Sequence, residues 1–385
     1  MNNILGGRRH DIDALRVFSF GTVIIYHTSL LFGTRDWLLN SYESSRLMDL
    51  IAIGSHPWRM SLLFFISGLV TASLLNRKSV EEICRSRTRH LLLPFLFGVV
   101  FIVPPQIYFA ALVEIPGMSY WDFLKAYVAN GIMVEHLWFL LYLWVYVCLW
   151  SLAMPRLTKR LPNLPSAFAS SLKGAGLFLL PVAFLAALRV FLYPVFGESL
   201  NVINDVYAHA LYFSMFMAGS LLVNQPQFWS EIDRQRWVSL GLAAASLLAI
   251  VTIALVLPRE QRPDVLVVLM RIIRSVFQWC SIITLLAFAG RIASRPSRVV
   301  AYLNKSMMTY YVVHQTVIII AAYCFIQADR LDPGDFLPIL IITLLVCAMA
   351  AEAKKFAEAR LVPWVSKLVA PRKPREEPSS LEAAG

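Results

Sequence analysis

The chain has little charge. Of its 385 residues only 15% are Asp, Glu, Lys or Arg, while 58% are hydrophobic. Soluble globular proteins carry about 25% charged and roughly 45–50% apolar residues. That balance excludes a soluble enzyme and a disordered chain. Cysteine is scarce too. Cys84, Cys148, Cys280, Cys324 and Cys347 form no CxxC pair, and four of them fall inside apolar runs. A disulfide framework or a zinc site is therefore not expected, and reduced apolar filler is the reading. No carboxylate–histidine ligand spacing is visible, so no metal is expected. No small-x-small cleavage site follows the apolar segment after Arg8 and Arg9, and that segment reads as a retained helix rather than a signal peptide. No loop is long enough to fold alone; the longest is Thr34–Pro57.

What is present is long apolar runs, with a mean hydropathy of +0.63. Aromatic residues reach 12%, and the runs are continuous rather than alternating, which excludes a porin-type barrel. A hydrocarbon core of ~30 Å takes about 20 apolar residues as helix. Ten runs fit: Ile12–Gly33, Trp58–Leu75, Leu91–Val113, His136–Met154, Gly174–Tyr193, Val206–Val223, Val238–Leu257, Val265–Gly290, Met307–Ile326 and Phe336–Ala351. The expectation is an all-α, polytopic integral membrane bundle of about ten helices. Residues 1–11 form an N-terminal tail, 12–351 the membrane domain, and 352–385 a C-terminal tail. Within it Pro371–Gly385 is polar and expected to be disordered.

The net charge of +11 suggests nucleic acid until its distribution is read. Of the 35 Lys and Arg, 24 lie in the two tails and the even-numbered loops, and six in the odd-numbered loops. Arg16, Arg59, Arg189, Arg271 and Arg274 lie within spans. The positive-inside rule then puts both termini in the cytoplasm and explains the charge without nucleic acid.

Chemistry must reside in the intramembrane polar residues, which are costly and face a cavity or a partner. The first helix holds Asp13, Arg16 and His27. Asp13 and Arg16 are i,i+3 neighbours and can pair as an ion pair that orients the helix. Arg16 and His27 share a face, ~16 Å apart along the axis. A cation at the inner mouth can hold an anionic cofactor, and a neutral imidazole deeper in can take a proton; it can equally make an interhelical hydrogen bond. Phe64-Phe65-Ile66-Ser67-Gly68 suits close helix contact. Arg85, Arg87, Arg89 and His90 precede the proline-interrupted third helix and suit phosphates or anionic lipid. His136 and Trp138 open the fourth helix, where an aromatic belt is the alternative. Tyr310 and His314 are i,i+4 in the ninth helix, with Gln315 beside them. Arg271, Arg274 and Gln278 form one stripe in the eighth, where snorkelling is the alternative, better for Arg271 than for Arg274.

These segments, taken in order, resemble the acyltransferase-3 family of ten-helix membrane acyltransferases. Ile12-Asp13-Ala-Leu-Arg16 followed by His27 is similar to its opening pattern, Phe64–Gly68 to its second-helix signature, and Tyr311-Val-Val-His314-Gln315 to its late-helix one. His136-Leu-Trp138-Phe139-Leu140 resembles the glucan biosynthesis protein C branch. The resemblance covers about residues 9–350. One departure is visible: where the family often has Arg-x-x-Arg before the third-helix proline, the second arginine is replaced by His90, with Arg89 beside it.

The resemblance implies transfer of an acyl group, acetyl or succinyl, from cytoplasmic acyl-CoA to a hydroxyl of an extracytoplasmic carbohydrate such as a periplasmic glucan or surface polysaccharide. It implies a multi-pass protein of a bacterial inner membrane, with acyl-CoA as donor substrate, no bound cofactor, and lipids and the carbohydrate acceptor as partners. By carry-over, His27 is the essential histidine and Arg16 its paired arginine, with Asp13 beside them. Arg16, Arg85, Arg87 and Arg89 are the donor contacts. Ser67, His136, Trp138, Arg274, Tyr310, His314 and Gln315 shape the substrate pocket. The competing class is a transporter or flippase without covalent chemistry; the absence of a clear internal repeat counts against an inverted-repeat transporter.

Overall fold

The computed structural model describes residues 9–199, 201–329 and 331–369, all helix and connection with no strand. The helices are α1 (His10–Leu30), α2 (Arg46–Leu75), α3 (Val80–Glu114), α4 (Tyr120–Asn130), α5 (Glu135–Arg160), α6 (Leu164–Ser171), α7 (Gly176–Phe196), α8 (Val206–Leu222), α9 (Pro226–Arg234), α10 (Arg236–Val256), α11 (Asp264–Ile292), α12 (Arg298–Gln327) and α13 (Phe336–Val369). Among the described residues eight of them, α2, α3, α5, α7, α10, α11, α12 and α13, are long and apolar enough to cross a membrane. The pair α8 and α9, bent by 109°, makes a ninth when the two are counted as one span. The remaining expected span is α1. Its 21 residues reach ~31 Å, enough to cross, but Asp11, Asp13 and Arg16 lower its hydropathy. It packs between α2, α11 and α12, so those charges face protein rather than lipid.

Several helices run past the apolar stretches read from the sequence: α2 begins at Arg46 rather than Trp58, α3 at Val80 rather than Leu91, and α12 at Arg298 rather than Met307. Helix α13 continues past Ala351 to Val369, because Ala, Glu and Lys in its second half are good helix formers even outside the hydrocarbon. The segment Pro371–Gly385 and residues 1–8 lie outside the described residues. Short helices also occupy the connections between the spans. Of these, α9 lays Phe228, Trp229 and Ile232 against the bundle.

The prolines of α3 do not break it. Wider turns at Thr88–Leu92 and Gly98–Ile102 precede Pro94 and Pro104, and a third at Leu188–Leu192 in α7 precedes Pro194. Such π-turns re-register the backbone where a proline lacks its N–H. They also set where Arg189 points.

The tightest seam joins α2 to α8. A methyl group at Gly68 would run into the carbonyl oxygen of Phe216, and one at Gly219 into that of Phe65. The reciprocal glycines let the backbones meet, as the Ser67-Gly68 segment suggested. Phe64 then packs on Tyr212 and Phe139, with ring centroids 5.0 and 4.8 Å away. This rigid block backs the polar interior.

Candidate functional site

Three polar layers follow one another through the bundle. The face on which α1 begins is the near face. There Asp13 accepts a hydrogen bond from Asn304 Nδ2 at 2.6 Å, which ties α1 to α12. Arg16, one turn on, lies within electrostatic reach of both Asp13 and Arg87. A cleft rises from this point, lined by Arg16, Phe20, Ser67, Lys305, Met307 and Tyr311 among others. Its entrance is basic and its walls are apolar, so it can take a thin chain with an anionic end.

The three arginines of the second loop do not act as one cluster. Arg87 alone is brought to Arg16. Arg85 forms an exposed ion pair with Glu81 at 2.6 Å, and Arg89 is exposed on another side of the helix. Helical geometry separates them: at 100° per residue, Arg87 and Arg89 point ~160° apart. His90 is also exposed, its Nδ1 at 2.7 Å from the carbonyl oxygen of Ser86.

Above the cleft sit three histidines from three helices. His27 Nδ1 lies 2.9 Å from His314 Nε2, and their rings stack with centroids 5.1 Å apart. His136 meets His314 edge-on at 5.0 Å and His27 at 6.4 Å. The chain is brought in by a strained turn. Glu135 adopts φ +45°, a left-handed conformation uncommon for a residue other than glycine, and this aims His136 into the bundle. Gln315 Nε2 donates to Glu135 across 3.4 Å.

The hydrogen bonds fix the tautomers of the neutral rings. His314 Nδ1 is 2.8 Å from the Tyr311 carbonyl oxygen and 3.1 Å from that of Tyr310. Carbonyls only accept, so Nδ1 of His314 carries the proton and its Nε2 is a bare acceptor. His27 must then donate from Nδ1 to His314, which leaves Nε2 of His27 with a free lone pair. By the same logic His136 donates from Nε2 to the Val312 carbonyl oxygen at 3.1 Å, and its Nδ1 is a buried acceptor with no partner.

Tyr310 is a correction. Its side chain faces Tyr302, Cys347 and Glu352, away from the histidines. Residues 310 and 311 flank the direction of His314 by ~40° and ~60° on opposite sides, and the side towards α1 and α5 belongs to 311. Tyr311 donates to the carbonyl oxygen of His136, and its ring packs on Phe20 and His136 at 5.5 and 5.7 Å. Trp138 also stands back: its ring contacts Phe64, Tyr142 and Tyr212. Ser67 lines the cleft while its hydroxyl donates to the Leu63 carbonyl at 2.8 Å.

The third layer opens on the far face. Trp37, from the loop after α1, stacks on His27 with centroids 6.0 Å apart and 3° between planes. The Arg59 guanidinium lies 4.0 Å over the Tyr26 ring, next to His27 in sequence, and its charge reaches His27 and His56. Arg35, Arg189 and Arg274 also act on His56, which is exposed. Arg274 thus lies within electrostatic reach of Arg189 and Arg35 at this end of the polar interior. Glu198, in the loop between α7 and α8, accepts from Tyr212 Oη at 2.5 Å; burial pushes its carboxyl above the ordinary range.

His56, Arg59, Trp37, Arg189 and Asn304 were not anticipated as site residues. Arg59 and Arg189 were visible as intramembrane charges. Trp37 carried no signal, because it sits in a loop with no periodicity, and His56 fell in the stretch read as loop although it lies in α2. Among the described residues no group of His, Cys, Asp and Glu could hold a metal ion, and all five cysteines are free.

The model of a family described as "Acyltransferase domain", the acyltransferase-3 family, matches residues 9–352. Glucans biosynthesis protein C of Escherichia coli strain K12 is 25% identical over 340 residues, 84% of this chain and 86% of that protein. The proteins of the same name from E. coli strains SMS-3-5 and O9:H4 (strain HS) show the same identity and coverage. No solved structure matches the chain.

Proposed function

Because the chain belongs to the acyltransferase-3 family and is a membrane acyltransferase, we propose that it moves an acyl group from cytoplasmic acyl-CoA to a hydroxyl of an extracytoplasmic carbohydrate. A glucan is the favoured acceptor, since the relatives at 25% identity are glucan biosynthesis proteins, and acetyl or succinyl the favoured acyl group. The family also sets aside a flippase without covalent chemistry. Charge asymmetry supports a cytoplasmic near face with both termini on it, in a bacterial inner membrane.

The observation that carries the reading is the bare Nε2 of His27, held by a proton chain that runs from His27 Nδ1 to His314 and ends on the Tyr311 carbonyl. Phosphates of the donor lie against Arg16 and Arg87 at the near face, and the pantetheine arm follows the cleft past Phe20. The thioester carbonyl reaches the histidines. His27 Nε2 takes the proton of the acceptor hydroxyl as its oxygen attacks that carbonyl. A C–O bond forms, the C–S bond breaks, and the CoA sulfur leaves with the proton returned from His27. The positive charge that develops on His27 is shared with His314 through the bond between them. Asp13 orients the first helix through Asn304, and Gln315 steadies Glu135 and so His136.

The test is purified protein with acetyl-CoA or succinyl-CoA and a linear oligoglucan, read as free thiol released and as mass added to the glucan. Thiol release coupled to ester formation is the expected result. Glucan movement across vesicles without mass gain would overturn the proposal.

A further inference from the structure

The far-face end of the polar interior is rich in arginine. Arg35, Arg59, Arg189 and Arg274 all lie within electrostatic reach of His56. Glu198 is the carboxylate that reaches Arg59 and Arg189, and it is already engaged by Tyr212. Arg59 is 4% exposed, and its Nη1 donates to Ser55 Oγ at 3.4 Å. Its Nε is buried and makes no hydrogen bond. Arg189 donates from Nη2 to Gln278 Oε1 at 2.5 Å, and Gln278 in turn donates to Ser61 Oγ at 2.7 Å. Its Nε is likewise buried without a partner. Two guanidinium forks are thus positioned by neighbouring side chains and left with donors unused. Fixed, desolvated donors of this kind suit a planar or tetrahedral oxyanion taken in a bidentate way.

We propose that Arg59, Arg189 and Arg274 form an anion-binding subsite on the far side of His27, which receives a carboxylate or phosphate group carried by the substrate. The inference rests on the acyltransfer reading for its meaning, though not for its geometry. The anion of the donor's nucleotide end is held elsewhere, at Arg16 and Arg87 on the near face. What reaches Arg59 is therefore a charge beyond the reacting carbonyl. It is either the distal carboxylate of a dicarboxylic acyl group or an acidic substituent on the carbohydrate. Both sources present the same oxyanion to the same forks. Arg262 spends its guanidinium on the Leu257 carbonyl and takes no part, and Arg271 lies 6.0 Å over the Tyr193 ring.

Two measurements on the full-length protein in neutral detergent test this. In the first, succinate and glycerol phosphate are titrated calorimetrically, with glycerol as the neutral control. Saturable binding of at least one anion is expected, weakened tenfold or more in Arg189→Gln and in Arg274→Gln and less in Arg189→Lys, with melting temperatures unchanged. Absence of anion binding, or equal binding in the variants, overturns the subsite. In the second, kcat/KM is compared for succinyl-CoA against acetyl-CoA, and for a phosphoglycerol-bearing glucan against a neutral one. A tenfold fall of the succinyl-to-acetyl ratio in Arg189→Gln assigns the anion to the acyl group. The same fall in the charged-to-neutral acceptor ratio assigns it to the carbohydrate. Ratios that do not move overturn the subsite. Wild-type protein that binds anions but transfers nothing sinks the acyltransfer reading and leaves the subsite standing. Wild-type protein that transfers acetyl to neutral glucan but binds no anion does the reverse.

Discussion

The two ends of the polar interior are built in opposite ways. The near-face mouth is compact in sequence: Asp13 and Arg16 lie one turn apart on α1, and Asn304 and Lys305 are adjacent on α12. The far-face vestibule is drawn from α2, α7, α11 and two loops, none of which supplies more than one or two of its charges. Each of those pairs needs only helical periodicity to form, and packing then adds Arg87 from α3. A vestibule made from scattered elements exists only once the whole bundle has packed. The histidines between them combine both habits. His27 and His314 stand 287 residues apart, yet each rests on a local device, the helix face for one and the i−3 carbonyl for the other.

The largest expected effect is at the junction of the two regions. His27→Ala should insert normally and lower transfer by the 10²–10⁴ typical of a lost general base, measured as glucan ester formed per protein. A loss under threefold would falsify its role as base. Next comes His314. If it only accepts the His27 proton and sets the tautomer, His314→Gln should retain at least tenfold more kcat than His314→Ala, with little change in KM for acyl-CoA. The amide oxygen of Gln can accept from His27 Nδ1, whereas Ala leaves that donor buried and unpaired. Equal kcat in the two variants would mean that His314 touches substrate instead.

How much of this was legible in the sequence follows the same division. The apolar runs located all eight described helices that are long and apolar enough to cross a membrane, because continuous hydrophobicity over a span is a strong signal. The one segment that fails a hydropathy criterion, α1, is the one with the most chemistry, since its charges face the bundle. Arg16, His27, His136 and His314 were legible as intramembrane polar residues and as pieces of family motifs. Tyr310 was misplaced because i,i+4 spacing shows which residues are near each other but not on which side the partner helix lies. Arg85 and Arg89 were grouped with Arg87 by proximity in sequence, and helix rotation separated them. Trp37 and His56 could not be foreseen. The place of Trp37 depends on how a loop folds back over α1, and His56 lies in the first turns of α2, ahead of the apolar run read from Trp58.

Sidedness is the next point at which the comparison can be broken. Single cysteines at positions 43 and 87, on a background without the native five, should label oppositely with an impermeant maleimide applied from outside. Position 43 should react and position 87 should not. The reverse pattern would exchange donor and acceptor ends and dismantle the proposed route. With sidedness fixed, Arg16→Ala should raise the KM for acyl-CoA about tenfold or more, the order expected for a charge-assisted contact of about 1.5–3 kcal/mol. Arg16→Lys should fall between, as it keeps charge and loses the fork. If Asp13→Asn matches Arg16→Ala and the double variant Asp13→Asn with Arg16→Gln recovers both expression and CoA affinity, Arg16 is structural.

The smallest effect expected is also the most discriminating for the near-face mouth. Arg85 and Arg87 are two residues apart with the same side chain, and a mouth assembled by proximity in sequence would use them alike. The structure gives them different surroundings. Arg87 is half-buried and shares the field of Arg16; Arg85 is exposed and answered by Glu81 one turn earlier. An exposed i,i+4 pair on a helix contributes about 0.3–0.5 kcal/mol and is screened by salt. Arg85→Gln should therefore leave the KM for acyl-CoA within twofold and the melting temperature nearly unmoved. Arg87→Gln should raise that KM severalfold at low salt, because removing one of two neighbouring cations halves the charge facing the donor phosphates. Running both variants at 50 and 300 mM salt adds a second readout. The effect of Arg87→Gln should shrink only in part at the higher salt, since a half-buried charge is screened less than an exposed one. If Arg85→Gln weakens donor use as much as Arg87→Gln does, the phosphates range over the whole basic loop and the mouth is not the two-arginine site drawn from helix geometry.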